Sequence, residues 1–165
     1  MRALLQRVSR AEVRVAGRRI GAIERGLLIL LGVAPEDDEF VAAGLAAKIA
    51  GLRIFADAEG LTNLAIGDVG GSALVVSQFT LYADARRGRR PSFIGAAGPI
   101  VGERLYEVFC EILATTGVRV AQGRFGAEMD VELVNEGPFT VWLDTDELGI
   151  GPRTVEPGPG ASLMG

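Results

Sequence analysis

The sequence predicts an α/β fold, a single compact domain with mixed sheets and two helices in the rough order ββ(βα)(βα)βββ, and three observations predict it. Apolar runs of strand length at residues 27–33 and 73–79 are flanked by glycine or proline, as strands covered on both faces require. Two stretches, 36–52 and 101–117, instead repeat their apolar residues at helical spacing. Alternation of apolar and polar residues marks the two ends, around 13–23 and 129–133, the pattern of half-buried strands.

Taken in order, residues 3–8 form a first strand, and Val13, Val15, Ile20 and Ile23 alternate around a turn at Gly17-Arg18 to give an early hairpin. Residues 27–33, between Gly26 and Pro35, make a central strand. Glu36, Asp37 and Asp38 then open a helix whose inward face is Val41, Leu45, Ile49 and Leu52, because acids favour the positive end of the helix dipole. A strand over 73–79 leaves the Gly70-Gly71 turn and runs into Thr80, Leu81 and Tyr82. Val101, Leu105, Val108, Phe109, Ile112 and Leu113 form one stripe of a second helix, stopped by Gly117. Met129, Val131 and Leu133 alternate, a Gly-Pro step interrupts, and strand character resumes over 139–143. Residues 1–143 are therefore read as the folded domain, and 144–165 as a flexible, acidic, Gly/Pro-rich tail.

Composition narrows the chemistry. With 165 residues and 48% hydrophobic residues the chain can bury a core without staples. The longest unbroken apolar run is far short of the roughly 20 residues a membrane helix needs, and residues 1–8 interleave Arg2, Gln6 and Arg7 with apolar residues, unlike a signal peptide. A cytoplasmic protein is expected, and the single cysteine, Cys110, fits a reducing compartment. The net charge is -4. Asp144, Asp146, Glu147 and Glu156 against Arg153 carry most of it, which leaves the body near neutral. Such a body cannot grip a long run of phosphates, so any RNA contact is small and end-directed.

There is no histidine, which removes the usual neutral-pH base and the commonest metal ligand, and with them Ser-His-Asp and Cys-His catalysis. Cys110 sits among packing residues of the second helix, and no Gly-rich phosphate loop ending in Lys-Ser/Thr is present. Asp57, Glu59, Asp68 and Asp84 can serve as turn residues or as an acid pair or Mg²⁺ site, and spacing alone does not pair them. Arg86, Arg87, Arg89 and Arg90 flank Gly88 as a dense basic cluster, either a solvated loop or a patch for two or three phosphates. Ser77-Gln78-Phe79-Thr80-Leu81 puts polar side chains at the end of an apolar strand, where unpartnered burial would cost about 1–3 kcal/mol each. Asn135-Glu136-Gly137-Pro138-Phe139-Thr140 carries an X-Pro bond, the type that readily becomes cis, and on pattern alone reads as a turn.

These stretches, with Leu5-Gln6-Arg7-Val8, Arg53-Ile54-Phe55, Gly70-Gly71-Ser72, Arg87-Gly88, Arg90-Pro91-Ser92-Phe93 and Gly123-Arg124-Phe125, occur in one order. In that order the chain, from residue 1 to about 143, closely resembles D-aminoacyl-tRNA deacylases of the bacterial and eukaryotic type, the D-tyrosyl-tRNA(Tyr) deacylase family. Phe139 stands where that resemblance implies a smaller aliphatic residue, and the tail has no counterpart in the family pattern.

The resemblance implies a homodimer with two sites at the subunit interface; no cofactor or metal is assigned. Gly137-Pro138 would be a cis step reaching from one subunit into the other's pocket to screen handedness, with Arg7 bracing it across the interface. Ser77, Gln78, Phe79 and Thr80 would form the catalytic floor beside the scissile ester. Phe125 and Met129 would hold the terminal adenosine, and Arg86, Arg87 and Arg90 would meet the tRNA backbone. The implied partner is aminoacyl-tRNA, with neither DNA nor membrane. The implied activity is carboxylic ester hydrolysis that spares L-aminoacyl-tRNA, extends to glycyl-tRNA including glycine mischarged on tRNA(Ala), and proofreads chirality in translation. Water helped by the ribose 2′-hydroxyl, or Thr80 as nucleophile, could attack. A non-catalytic RNA-end or protein-binding module on the same fold is the alternative from another class.

Overall fold

The computed structural model describes residues 1–152. Strand β1 spans Arg2–Val15, one long strand rather than a short strand followed by a hairpin. It turns at Ala16 and Gly17, φ 49° and 75°, into β2, Arg18–Ile23. Two positive φ values in a two-residue turn match the right-handed twist of the paired strands. Strand β3, Gly26–Gly32, leads to helix α1, Glu39–Ala50. Of the three acids expected to open that helix, Asp38 is the cap, its carboxylate accepting the Val41 N–H at 2.9 Å. Asp37 instead accepts from the Ala34 N–H and from the Met1 amine. Leu52 falls beyond the helix end and packs against the core from the loop.

An unforeseen ribbon follows, β4 (Phe55–Ala56) and β5 (Thr62–Leu64), both too short for a readable period. Strand β6 is Ser72–Ser77 and stops two residues before the expected end, where a 3₁₀ turn over Phe79–Tyr82 begins. The reason is pairing: β6 runs parallel to β3 only as far as Leu31 opposite Ser77, and the Gln78 N–H closes on the Leu31 carbonyl at 2.7 Å. Helix α2, Pro99–Thr115, starts with proline where its missing N–H costs nothing. Tyr106 and Cys110 join its buried face, while Val101 is exposed.

Strands β7, Arg119–Gln122, and β8, Asp130–Asp144, complete the chain. The expected split of β8 into two strands does not occur. Its pairing with β1 continues on either side of an arch, stepping from Gln6 opposite Thr140 to Val8 opposite Asn135, so residues 136–139 bulge out across from Arg7.

The order of the mixed sheet is β2-β1-β3-β6-β7, with β8 also on β1. Strand β1 is antiparallel to β2, β3 and β8, while β3, β6 and β7 run parallel. The sheet curls into a nearly closed barrel because β2 returns to lie on β6 and β7. A Cβ on Gly21 would come within 2.7 Å of the Gln122 carbonyl oxygen, so this approach needs glycine. Inside lie Val8, Ala11, Val13, Ile23, Leu28, Leu74 and Val76. Leu27, Ile29, Leu31, Ala73 and Val75 face the other way, in one core cluster with the buried side chains of α1 and α2. That double burial is why β3 and β6 read as continuous apolar runs.

Residues 144–150, assigned from the sequence to the tail, are packed on the body. Asp144 pairs with Arg2 at 2.8 Å, buried Thr145 accepts from the Met1 amine at 2.5 Å, and Ile150 lies against Gly44. The remainder of the expected tail, 153–165, lies outside the described residues. Among the described residues no helix is long and apolar enough to cross a membrane.

Candidate active site

The parallel strands β3 and β6 end side by side, and the chain beyond β6 must leave the sheet there. This is where open α/β sheets place their crevices. A cleft of about 620 Å³ opens at this point. Its floor is Val76, Ser77, Gln78 and Phe79, one wall is Phe93, Ala96, Ala97 and Pro99, and the other is residues 125–129 with Val131. Most of the lining is apolar, with polar side chains from Ser77 and Gln78 at the strand end and Glu128 on the wall opposite.

Three of the four residues expected on the catalytic floor line the cleft: Ser77, Gln78 and Phe79. Thr80 does not. It sits one step into the 3₁₀ turn, where the Gln78 side-chain amide donates to its hydroxyl oxygen. An i→i+3 turn leaves the N–H groups at its start without intra-turn partners, and here those belong to Phe79 and Thr80. Phe79 is 58% exposed and packs edge-on against Phe93, ring centres 5.2 Å apart.

Both residues expected to hold adenosine, Phe125 and Met129, line the wall opposite. The Val75 carbonyl fixes that wall, accepting the Gly123 N–H at 2.9 Å and the buried Tyr106 hydroxyl at 2.8 Å. Burial holds the Tyr106 phenol above its ordinary range, so it remains a donor. The Tyr106 ring leans on Phe125 at 6.0 Å, and the Arg124 N–H points at the Met129 sulfur at 3.4 Å.

Gly137 and Pro138 do not line this cleft. Their peptide bond is cis, as the resemblance implies. Arg7, 9% exposed, reaches the Gly137 carbonyl at 3.3 Å and the Ile54 carbonyl at 2.6 Å. Within this chain Arg7 holds its own arch, because β1 and β8 are neighbours and Arg7 faces it.

The basic cluster occupies a loop pinned at its base by Asp84 and Ser92, which exchange two backbone hydrogen bonds. Arg86 is committed inside the loop: its guanidinium grips Asp84 through Nε at 2.8 Å and Nη2 at 2.7 Å. That grip holds the Asp84 carboxyl well below its ordinary range. Arg87 and Arg90 are exposed and form no ion pair among the described residues, and the loop runs directly into Phe93 of the cleft.

Two of the carboxylates considered for acid or metal chemistry, Asp57 and Asp68, serve turns. Asp57 accepts from the Glu59 and Leu61 N–H groups and from the Asn63 amide, and Asp68 accepts from the Ala65 N–H. Cys110 is buried, its thiol pushed up to about 12 chiefly by burial. Sequence reasoning missed Phe93, Ala97 and Pro99 as cleft residues and the Ile54 carbonyl as the anchor of Arg7. Phe93 lay within a motif that carried the resemblance, but nothing in spacing places it opposite Phe79.

The model of the family described as D-Tyr-tRNA(Tyr) deacylase matches residues 4–144. The chain belongs to this family. D-aminoacyl-tRNA deacylases similar to it include that of Desulfatibacillum aliphaticivorans, 55% identical over 145 residues, 88% of this chain and 99% of that one. That of Roseiflexus castenholzii is 60% identical over 145 residues, 88% of this chain and 92% of that one. A solved structure named as a c-Myc DNA unwinding element binding protein is 38% identical with a TM-score of 0.82, covering 87% and 98% of the two chains. A second, named as a probable eukaryotic D-amino acid tRNA deacylase, shares the fold at 19% identity and a TM-score of 0.76, covering 86% of this chain and 97% of that one. The deacylase hydrolyses the ester of D-aminoacyl-tRNA, and the binding-module alternative gives way.

Proposed function

We propose that this deacylase proofreads chirality in the cytoplasm as a homodimer, the Gly137-Pro138 step of one subunit entering the cleft of the other. The observation that carries the reading is that this step, held by a buried arginine, lies outside its own chain's cleft. Phe79 and Phe93, which line the cleft and are both exposed, give a second subunit an apolar surface to cover. A main-chain wall rejects the L-configuration by steric clash, indifferent to side-chain identity. Broad acceptance of D-amino acids follows, as does acceptance of glycyl-tRNA, including glycine mischarged on tRNA(Ala), since glycine has nothing to clash.

In this reading the terminal adenosine packs on Phe125 and Met129, and Arg87 and Arg90 meet backbone phosphates while Arg86 shapes their loop. Water attacks the ester carbonyl, the ribose 2′-hydroxyl assisting. The N–H groups of Phe79 and Thr80 steady the oxyanion. The bond to the 3′-oxygen breaks, a proton passes to that oxygen, and free D-amino acid and tRNA leave. Thr80 is a poor nucleophile, since Gln78 is its side-chain partner and supplies no base. The deciding assay follows release of labelled tyrosine from D-tyrosyl-tRNA and L-tyrosyl-tRNA. Hydrolysis of the D form with survival of the L form is expected, and equal rates for the two would end the stereochemical reading.

A further inference from the structure

We propose that Phe139 is a positioning residue, setting the plane of the Arg7 guanidinium and through it the location of the Gly137 carbonyl. The guanidinium carbon of Arg7 lies 4.3 Å from the centre of the Phe139 ring. Three residues of one arch meet this single group. Gly137 accepts from Nη2, the Glu136 carboxylate lies 3.7 Å from Nε, and Phe139 covers the face. The one short hydrogen bond runs from Nη1 to the Ile54 carbonyl, at 2.6 Å. Nε is buried with no hydrogen-bond partner.

One short bond leaves a planar group free to swing about that bond. The contact to Gly137, at 3.3 Å, is too long to stop it alone. The Phe139 ring removes this freedom: it packs against the core on one side and presents its negative face to the cation on the other. A guanidinium held over a ring loses much of its freedom to turn, and here its Nη2 donates to the Gly137 carbonyl. An aliphatic side chain would fill the volume without orienting the charge.

The consequence for selectivity rests on the proposed role of Gly137-Pro138 as the wall against L-substrates. The test compares Phe139→Leu with Phe139→Tyr, Phe139→Met replacing the leucine variant should it fail to fold. Kinetics are run with D-tyrosyl-tRNA and L-tyrosyl-tRNA, and hydrogen exchange is measured over residues 134–141. Phe139→Tyr should match the parent in both. Phe139→Leu should lower the D-to-L ratio of kcat/KM about 5- to 30-fold, as loss of a partly desolvated cation–π contact implies. The fall should come from faster L-hydrolysis, with faster exchange across the arch. An unchanged ratio and exchange in Phe139→Leu would overturn the proposal, as would equal impairment of the tyrosine variant. If the parent protein itself treats D and L alike, the wall reading fails, and the exchange comparison still decides whether Phe139 holds Gly137.

Discussion

Cys110 illustrates what burial does to a single side chain. A thiol whose pKa is raised to about 12 stays protonated at pH 8, and the thiolate is the reactive form. Native protein should therefore give no reaction with a disulfide reagent at pH 8, while denaturant-unfolded protein should give one thiol per chain; fast labelling of the native form would refute the packing role. Ala16 is the opposite case, an exposed residue held at φ 49° where asparagine or glycine is at ease. Ala16→Asn should raise stability by about 0.5–1 kcal/mol in a denaturant titration. Thr80 is poised by Gln78 but lies outside the cleft lining. Thr80→Ala should keep activity within about tenfold of the parent, whereas a substrate ending in 2′-deoxyadenosine should be lost almost entirely.

Among the elements, β2 and the basic loop each make a measurable claim. Closure of the barrel depends on β2 coming within backbone distance of β7 at Gly21. Gly21→Ala should cost about 1–3 kcal/mol, because the added methyl meets a carbonyl oxygen that cannot move freely. The loop pinned by Asp84 and Ser92 separates a structural arginine from exposed ones. Arg87→Gln with Arg90→Gln should reduce the slope of log affinity for tRNA against log salt by about 1–1.5, the value for two single-strand phosphate contacts. An unchanged slope would return the cluster to a solvated loop. At this scale the sequence was legible where one period ran unopposed. The runs in β3 and β6 and the stripe of α2 announced themselves, since burial fixes their composition. The ribbon β4–β5 and the continuity of β8 through Gly137-Pro138 were not legible, because β1 supplies the pairing that carries β8 past its break.

For the whole molecule, residues 144–150 matter more than their composition suggests. Ending the chain after residue 143 removes the Asp144 partner of Arg2, the Thr145 acceptor of the Met1 amine, and the Ile150 contact with Gly44. Such a chain should melt at least several degrees below one ended after residue 152, since each 1 kcal/mol lost shifts a domain of this size by roughly 2–4 °C. Equal melting points would show these contacts to be incidental. The proposed dimer belongs to this scale too, and sedimentation at low concentration should find two chains per particle.

By itself the sequence determined the class of fold, the central strands β3 and β6, both helices and, through several ordered motifs, the reaction. Each of these depends on residue type and local spacing, which survive without coordinates. Only the tertiary structure decided that Phe93 faces Phe79, that Thr80 stands behind the cleft, that Arg86 is bound to Asp84, and that Arg7 holds Gly137 within one chain. Those contacts join residues by strand register and by where a chain leaves a sheet. No periodicity encodes them, because they are properties of the partner element and not of the segment itself.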